Sequence, residues 1–273
     1  MDIRTVLLLV VAGLASAGCF SSRTVLRLRA DGSGTIEVTS ALRKAALAQL
    51  DALGVAAGGE RKTPRLEDWF PDTDVRAASA RLGNDVRFIS SRTIDNRDEL
   101  GVVAIYAFSD VKRVTLQPIP VFPAEGGYGA TARLEGEHRF TFDLVDEPGN
   151  GQVLVARMPD ARIEHDGLHV VTGEGQGTDP EQAAQFRTFV AGGRLEVALE
   201  LEQPIIRTNT PHRDGQRVTL VRLDAESLLL DSATEKRLLL QPGSLDELRY
   251  RLHNAPGVTV GLEREIRIEM AVR

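Results

Sequence analysis

Residues able to do chemistry are few in this chain, and they are scattered. The five histidines are His138, His165, His169, His212 and His253. His165 and His169 are four apart, a spacing at which two imidazoles on one helix face can share a zinc ion. Asp166-Gly167 between them signals a hairpin instead, and no His-Glu-x-x-His accompanies them. The one cysteine, Cys19, has no partner for an internal disulfide. No G-x-S-x-G elbow is present, and Gly32-Ser33-Gly34 is too short to form one. Gly173-Glu174-Gly175-Gln176-Gly177 lies between a strand pattern and a helix pattern, as a phosphate loop would. Its third glycine is misplaced for dinucleotide binding, and Glu174, Asp179 and Glu181 would repel phosphate. Glu200 and Glu202 share one strand face, where they solvate it rather than work as acid and base. The sequence thus offers no catalytic residue, metal site or cofactor site, and reads as non-enzymatic.

What remains is the thiol of Cys19 and the residues before it. Arg4 is followed by an unbroken apolar run, Val6 to Ala15, then by the small residues Ser16-Ala17-Gly18. Charge, apolar core and small cleavage site in that order make an export signal. The run falls short of the roughly 20 residues that a membrane helix needs. With Cys19 directly after Ala-Gly, the segment resembles the bacterial lipobox, whose cysteine becomes the acylated first residue of the mature protein. Ser16 departs from that pattern, which has Leu three before the cysteine, and Asp2 departs from its positive start. The resemblance implies a signal peptide over residues 1–18 that is removed, with lipid attached at Cys19. It also implies an outer-membrane, periplasmic-side location if the cell has two membranes, since Phe20 stands where an inner-membrane retention Asp would. The alternative is a plain secretory signal cleaved near Ala17, with Cys19 a leftover thiol.

Residues 19–273 are enough for one large domain or two small ones, and are read as one. With 42% hydrophobic and 26% charged residues the chain is neither disordered nor a membrane bundle. Its net charge of −6, with no basic run, excludes a nucleic-acid partner from the reading.

The elements that must carry any site follow from periodicity. Thr24–Ala30 and Thr35–Thr39 alternate about the turn Asp31-Gly32-Ser33-Gly34, as a hairpin does. A helix is expected from Ser40 to Gly54, with Leu42, Ala46, Leu50 and Leu53 as its stripe. Trp69 falls on a loop from Gly58 to Pro71, before a short helix over Asp74–Leu82. Strands are expected over Val86–Thr93, Val102–Phe108, Ala130–Val145, Gln152–Met158, Leu195–Glu202, Arg217–Leu223 and Ile266–Val272, with a tight hairpin over Ile163–Val171. Residues 118–129 are Pro- and Gly-rich and form a loop. Asp179, Pro180 and Gln182 open a second helix, and Ser244 with Glu247 caps a third. Consecutive strands with a few helices predict an α+β fold, a mainly antiparallel sheet with helices packed on one face.

Three pieces resemble, in order, a family of uncharacterised bacterial lipoproteins and, more distantly, the mycobacterial LppM-type domain. They are Asp31 to Thr35, Tyr106 to Val111, and the run from Phe186 to Thr219 that contains Ile205-Ile206-Arg207-Thr208-Asn209-Thr210. The resemblance implies a tethered, β-rich domain with roles in lipid or envelope interactions, and carries over no catalytic residue. The Pro-rich segment after Gln117 departs from it. The expected function is an envelope lipoprotein, held at the membrane by lipidated Cys19, that binds an apolar ligand or lipid near Trp69 and Phe122. A structural or assembly module binding an envelope protein is the alternative. A hydrolase with no recognisable motif is the third.

Overall fold

In the computed structural model the described residues are 20–45, 47–48, 65–117, 133–137, 139–147, 151–164, 192–230 and 244–271. Cys19 and its leader, Phe122 with the 118–129 segment, His138, His165, His169, the 173–177 loop and the helix expected from Asp179 lie outside them.

The chain is organised around β1 (Phe20–Leu28), the middle strand of a large sheet. It pairs antiparallel with β2 (Gly34–Arg43), Leu26 opposite Ile36. The turn between them closes because Gly32 takes φ +83°. The Asp31 carboxylate fixes that turn by accepting from the Ser33 amide at 2.9 Å and the Ser33 hydroxyl at 2.6 Å. The hydroxyl bond, followed by the amide bond, holds the Asp31 carboxyl below the usual carboxylate range. Beyond β2 lie β4 (Glu99–Phe108) and the edge strand β3 (Arg87–Asp95). On the other side β1 runs parallel to β10 (Arg194–Leu201), which pairs with β13 (Arg217–Asp224). β12 (Arg213–Asp214) and β14 (Val258–Val260) both pair with β13.

A second, five-stranded sheet has the order β11 (Ile205–Thr208), β15 (Glu265–Met270), β8 (Gly151–Arg157), β7 (Phe140–Glu147), β5 (Thr115–Leu116). A two-stranded ribbon pairs β6 (Arg133–Glu137) with β9 (Asp160–Glu164).

One core joins the two larger sheets. Leu26, Ile36, Leu199 and Leu220 from the first meet Phe140, Leu154, Ile266 and Ile268 from the second in a single buried cluster. Each such side chain contributes roughly 1.5–3 kcal/mol by leaving water, so this interface carries most of the fold. The expected α+β class, with helices on one sheet face, is overturned. The described elements are mostly strands, and a second sheet covers the apolar face of the first. Helices α1 (Leu66–Trp69), α2 (Asp72–Ala77) and α3 (Ser79–Leu82) are short and fill part of the same core through Phe70, Val75, Ala78 and Leu82. Helices α4 (Ala225–Leu230) and α5 (Leu245–Leu252) follow β13 and precede β14. Ser244 caps α5, its hydroxyl accepting from the Glu247 amide at 3.1 Å.

Local expectations fail where long-range pairing overrides propensity. Ser40 caps nothing: it is fully buried inside β2, and helical backbone starts only at Lys44. The Ser40–Leu42 backbone is held on both sides, with Ser40 opposite Ser22 and Val102. The long strand expected over Ala130–Val145 is divided between β6 and β7, which belong to different sheets. Among the described residues β9 pairs with β6, and most of the hairpin expected over Ile163–Val171 lies outside them.

Tyr106 ties α2 to the large sheet. Its buried hydroxyl donates to the Val75 carbonyl at 2.6 Å. Burial pushes the phenol above its ordinary pKa of 10.0, against a smaller opposing pull from Arg81. Tyr106→Phe should cost about 1 kcal/mol in urea unfolding near neutral pH. The pH dependence has a fixed sign. Above pH 10 the unfolded phenol loses its proton while the folded one keeps it. Stability is therefore full below pH 10 and falls as pH rises toward the higher folded value. Tyr106→Phe should flatten that alkaline decline; an unchanged slope would refute the assignment.

Candidate functional site: the groove at the turn end of the large sheet

The outer face of the large sheet is a lattice of opposite charges set by register. Arg23 lies opposite Glu196 and Arg27 opposite Glu200 across the parallel pair, and Glu200 lies opposite Arg217 on β13. The contacts follow. Arg27 donates from Nε to Glu200 at 2.9 Å and from Nη1 to Glu37 at 3.0 Å. Arg217 donates to Glu196 at 2.7 Å and also to Glu200, and Arg23 stands 3.5 Å from Glu196. Partial burial works against the Arg27 charge, but the hydrogen bonds and charges of Glu37 and Glu200 outweigh it and raise its pKa. The face expected to be wet and acidic is therefore paired: three guanidiniums match three carboxylates.

Where this face meets the β1–β2 turn, an open groove of about 500 Å³ is lined by Arg27, Arg29, Thr35, Glu202, Asp214 and Arg217, among others. Arg27–Arg29 with Gly34 and Thr35 form one wall, and Glu200–Glu202 with Asp214, Gln216 and Arg217 form the other. The Ser109–Arg113 segment docks on the turn, the Val111 amide donating to the Gly32 carbonyl at 3.0 Å. A Cβ on Gly32 would stand 3.3 Å from Leu144 of the second sheet, so this turn also touches β7. The first piece, the Ser109–Val111 part of the second and the Leu201–Arg217 part of the third thus meet at one end of the fold.

No family model matches the chain, and no curated protein does. Among solved structures, the NMR structure of the folded domain of Mycobacterium tuberculosis LppM aligns at 11% identity, covering 77% of this chain and 84% of that one. The TM-score is 0.30. That likeness is distant.

The groove is lined mainly by charged and polar side chains. Both Glu200 oxygens are engaged, one by Arg27 and one by Arg217. Arg29 is exposed and reaches the Ser33 hydroxyl at 3.4 Å. Among the described residues no three His, Cys, Asp or Glu side chains cluster as metal ligands. His253 sits away from the groove, one ring nitrogen 2.6 Å from the Tyr250 carbonyl and the other 2.6 Å from the Asn254 amide.

Of the residues expected to bind a ligand, only Trp69 is described. It lies on helix α1 rather than on a loop, and its ring packs partly buried against the shared core. The groove went unseen in the sequence because it is assembled by the parallel pairing of β1 with β10. The available signal was charge: Arg23 and Arg27 on β1 match the spacing of Glu196 and Glu200 on β10.

Arg217 is the cation shared by two glutamates, with its side chain 21% exposed. Arg217→Ala should lower stability by about 1.5 kcal/mol by leaving two carboxylates facing each other. The loss should shrink in molar salt, which screens that repulsion. Equal losses at low and high salt would show that Arg217 acts through packing alone.

Proposed function

We propose that this chain is a bacterial envelope lipoprotein, anchored by fatty chains on the Cys19 sulfur, whose β-rich domain binds rather than catalyses. The observation that carries the reading is the junction at Cys19. A charged start, a short apolar run and small residues lead to the one cysteine of the chain, and that cysteine directly precedes the first residue of the central strand. Removal of residues 1–18 would leave Cys19 as the first residue of a single domain over 19–273. One buried cluster containing both Phe20 and Met270 supports that extent. Each buried acyl CH₂ contributes about 0.8 kcal/mol, and one chain holds only marginally. Two or three chains on one cysteine make the tether close to permanent. Phe20 after the cysteine favours the outer membrane, periplasmic side, in a cell with two membranes.

For the domain itself, an envelope protein is favoured over an apolar ligand. The space between the sheets is filled by side chains under 2% exposed, among them Leu26, Phe140, Leu154 and Ile266. Among the described residues β3 pairs with β4 alone, and it is exposed along most of its length, with Ile89 51% exposed. Such an edge can accept a strand from a partner. A photocrosslinker at Thr93 should capture a protein neighbour; recovery of lipid alone would favour the ligand reading.

The tether has a direct test. Cys19→Ser should move the protein from the membrane fraction to the soluble one. Unchanged fractionation would sink the proposal.

A further inference from the structure

We infer that the end of the large sheet around Phe20 is the face turned to the bilayer, and that the groove points away from it. The inference rests on the lipid anchor proposed above. Phe20 is only 6% exposed and is already paired with Leu42, so the fold begins one residue after Cys19. No slack chain separates the proposed lipid from a strand held on both sides along its length. A flexible Gly/Ser-type linker would reach roughly 5–6 Å times the square root of its length; here that freedom is absent.

Register then assigns the face. Because β1 and β10 are parallel and the other neighbours antiparallel, one end gathers Phe20, Arg43, Glu99, Asp95, Arg194 and Asp224. The end is cross-linked: Lys44 pairs with Asp95 at 2.6 Å and donates its amide to the Asp98 carbonyl at 2.9 Å. Arg194 stands 3.6 Å from Asp224. The exposed turn Asn96-Arg97-Asp98 projects from this end. Its charges are polar and mixed, suited to lie among headgroups rather than to enter hydrocarbon. The opposite end carries the Asp31–Gly34 turn and the groove, about 26 Å away along eight strand steps of about 3.3 Å. A partner entering the groove would therefore come from the aqueous side.

The test uses the full protein purified from membranes and reconstituted in phosphatidylethanolamine/phosphatidylglycerol vesicles with nitroxide-bearing headgroups. Arg97→Cys and Gln216→Cys each supply a free thiol for a fluorophore, because the Cys19 sulfur is held in a thioether to the diacylglyceryl group. Both positions are exposed, at opposite ends of the sheet. Quenching severalfold stronger at position 97 than at 216 is expected. A flexible Gly/Ser insert between Cys19 and Phe20 should erase most of that contrast while membrane attachment persists. Equal or reversed quenching in the lipidated protein, or a contrast untouched by the insert, would overturn the orientation while leaving the anchor standing. A protein of unmodified mass that fails to bind vesicles would overturn the anchor, and the orientation with it.

Discussion

Gly34→Ala is expected to cost about 3 kcal/mol or more, or to prevent folding. Gly34 is the first residue of β2 and sits between Leu28 of β1 and Phe108 of β4. A Cβ there would stand 2.0 Å from the Arg27 carbonyl oxygen and 2.6 Å from Phe108 Cζ. The carbonyl belongs to the central strand, so relief means moving β1 itself, and the ring is a core side chain with little room. Close backbone approach of this kind is a reason for glycine within a strand. Gly215→Ala provides the contrast. Gly215 has φ +58° but nothing within 4 Å, so it should lose only about 1–2 kcal/mol of backbone strain. Urea unfolding of both variants checks the difference. Equal, small losses would mean that β1 and β2 do not meet in this register.

The second large effect concerns the sheet-on-sheet core. Ile268→Ala should cost about 3 kcal/mol, the usual loss for a buried aliphatic truncated to Ala. Ile268 is fully buried on β15, opposite Leu154, in the cluster shared with the first sheet. Trp69, the only tryptophan, packs against that cluster from α1 and so reports on it by fluorescence. In Ile268→Ala the Trp69 transition and the far-ultraviolet circular dichroism transition should shift together, because one core unfolds as one unit. Ile206→Ala, on a side chain 61% exposed, should change stability by less than about 0.5 kcal/mol. A Trp69 transition unmoved by Ile268→Ala would show that the sheets are separate bodies.

The strands were legible wherever alternation and turn chemistry agreed. Leu26 and Leu28 against Arg27 and Arg29, closed by Asp-Gly-Ser-Gly, can be little else than a hairpin arm. Leu195 to Leu201 reads equally plainly. What local pattern cannot carry is the partner of each strand. The apolar face of β1 asks only to be covered, and Leu42 with Ala46, Leu50 and Leu53 looks like a covering helix. Ala46, Leu50 and Leu53 lie outside the described residues, while Leu47 does join the core; most of the described cover comes from β7, β8 and β15, which arrive more than a hundred residues later in the chain. The groove shares that cause. Arg27 and Glu200 are 173 positions apart, and only the parallel β1–β10 ladder brings them to 2.9 Å. At Ser40 the sequence misleads outright. A residue well suited to cap a helix lies inside a strand because neighbours on both sides claim its backbone.

The anchor is the point on which location, orientation and mode of action all turn. The most direct measurement is the intact mass of the protein purified from the membrane fraction. The expected mass is that of residues 19–273 plus a diacylglyceryl group, with or without a further acyl chain, all of the excess on the first residue. A mass equal to the bare polypeptide, or one that retains residues 1–18, would contradict the account.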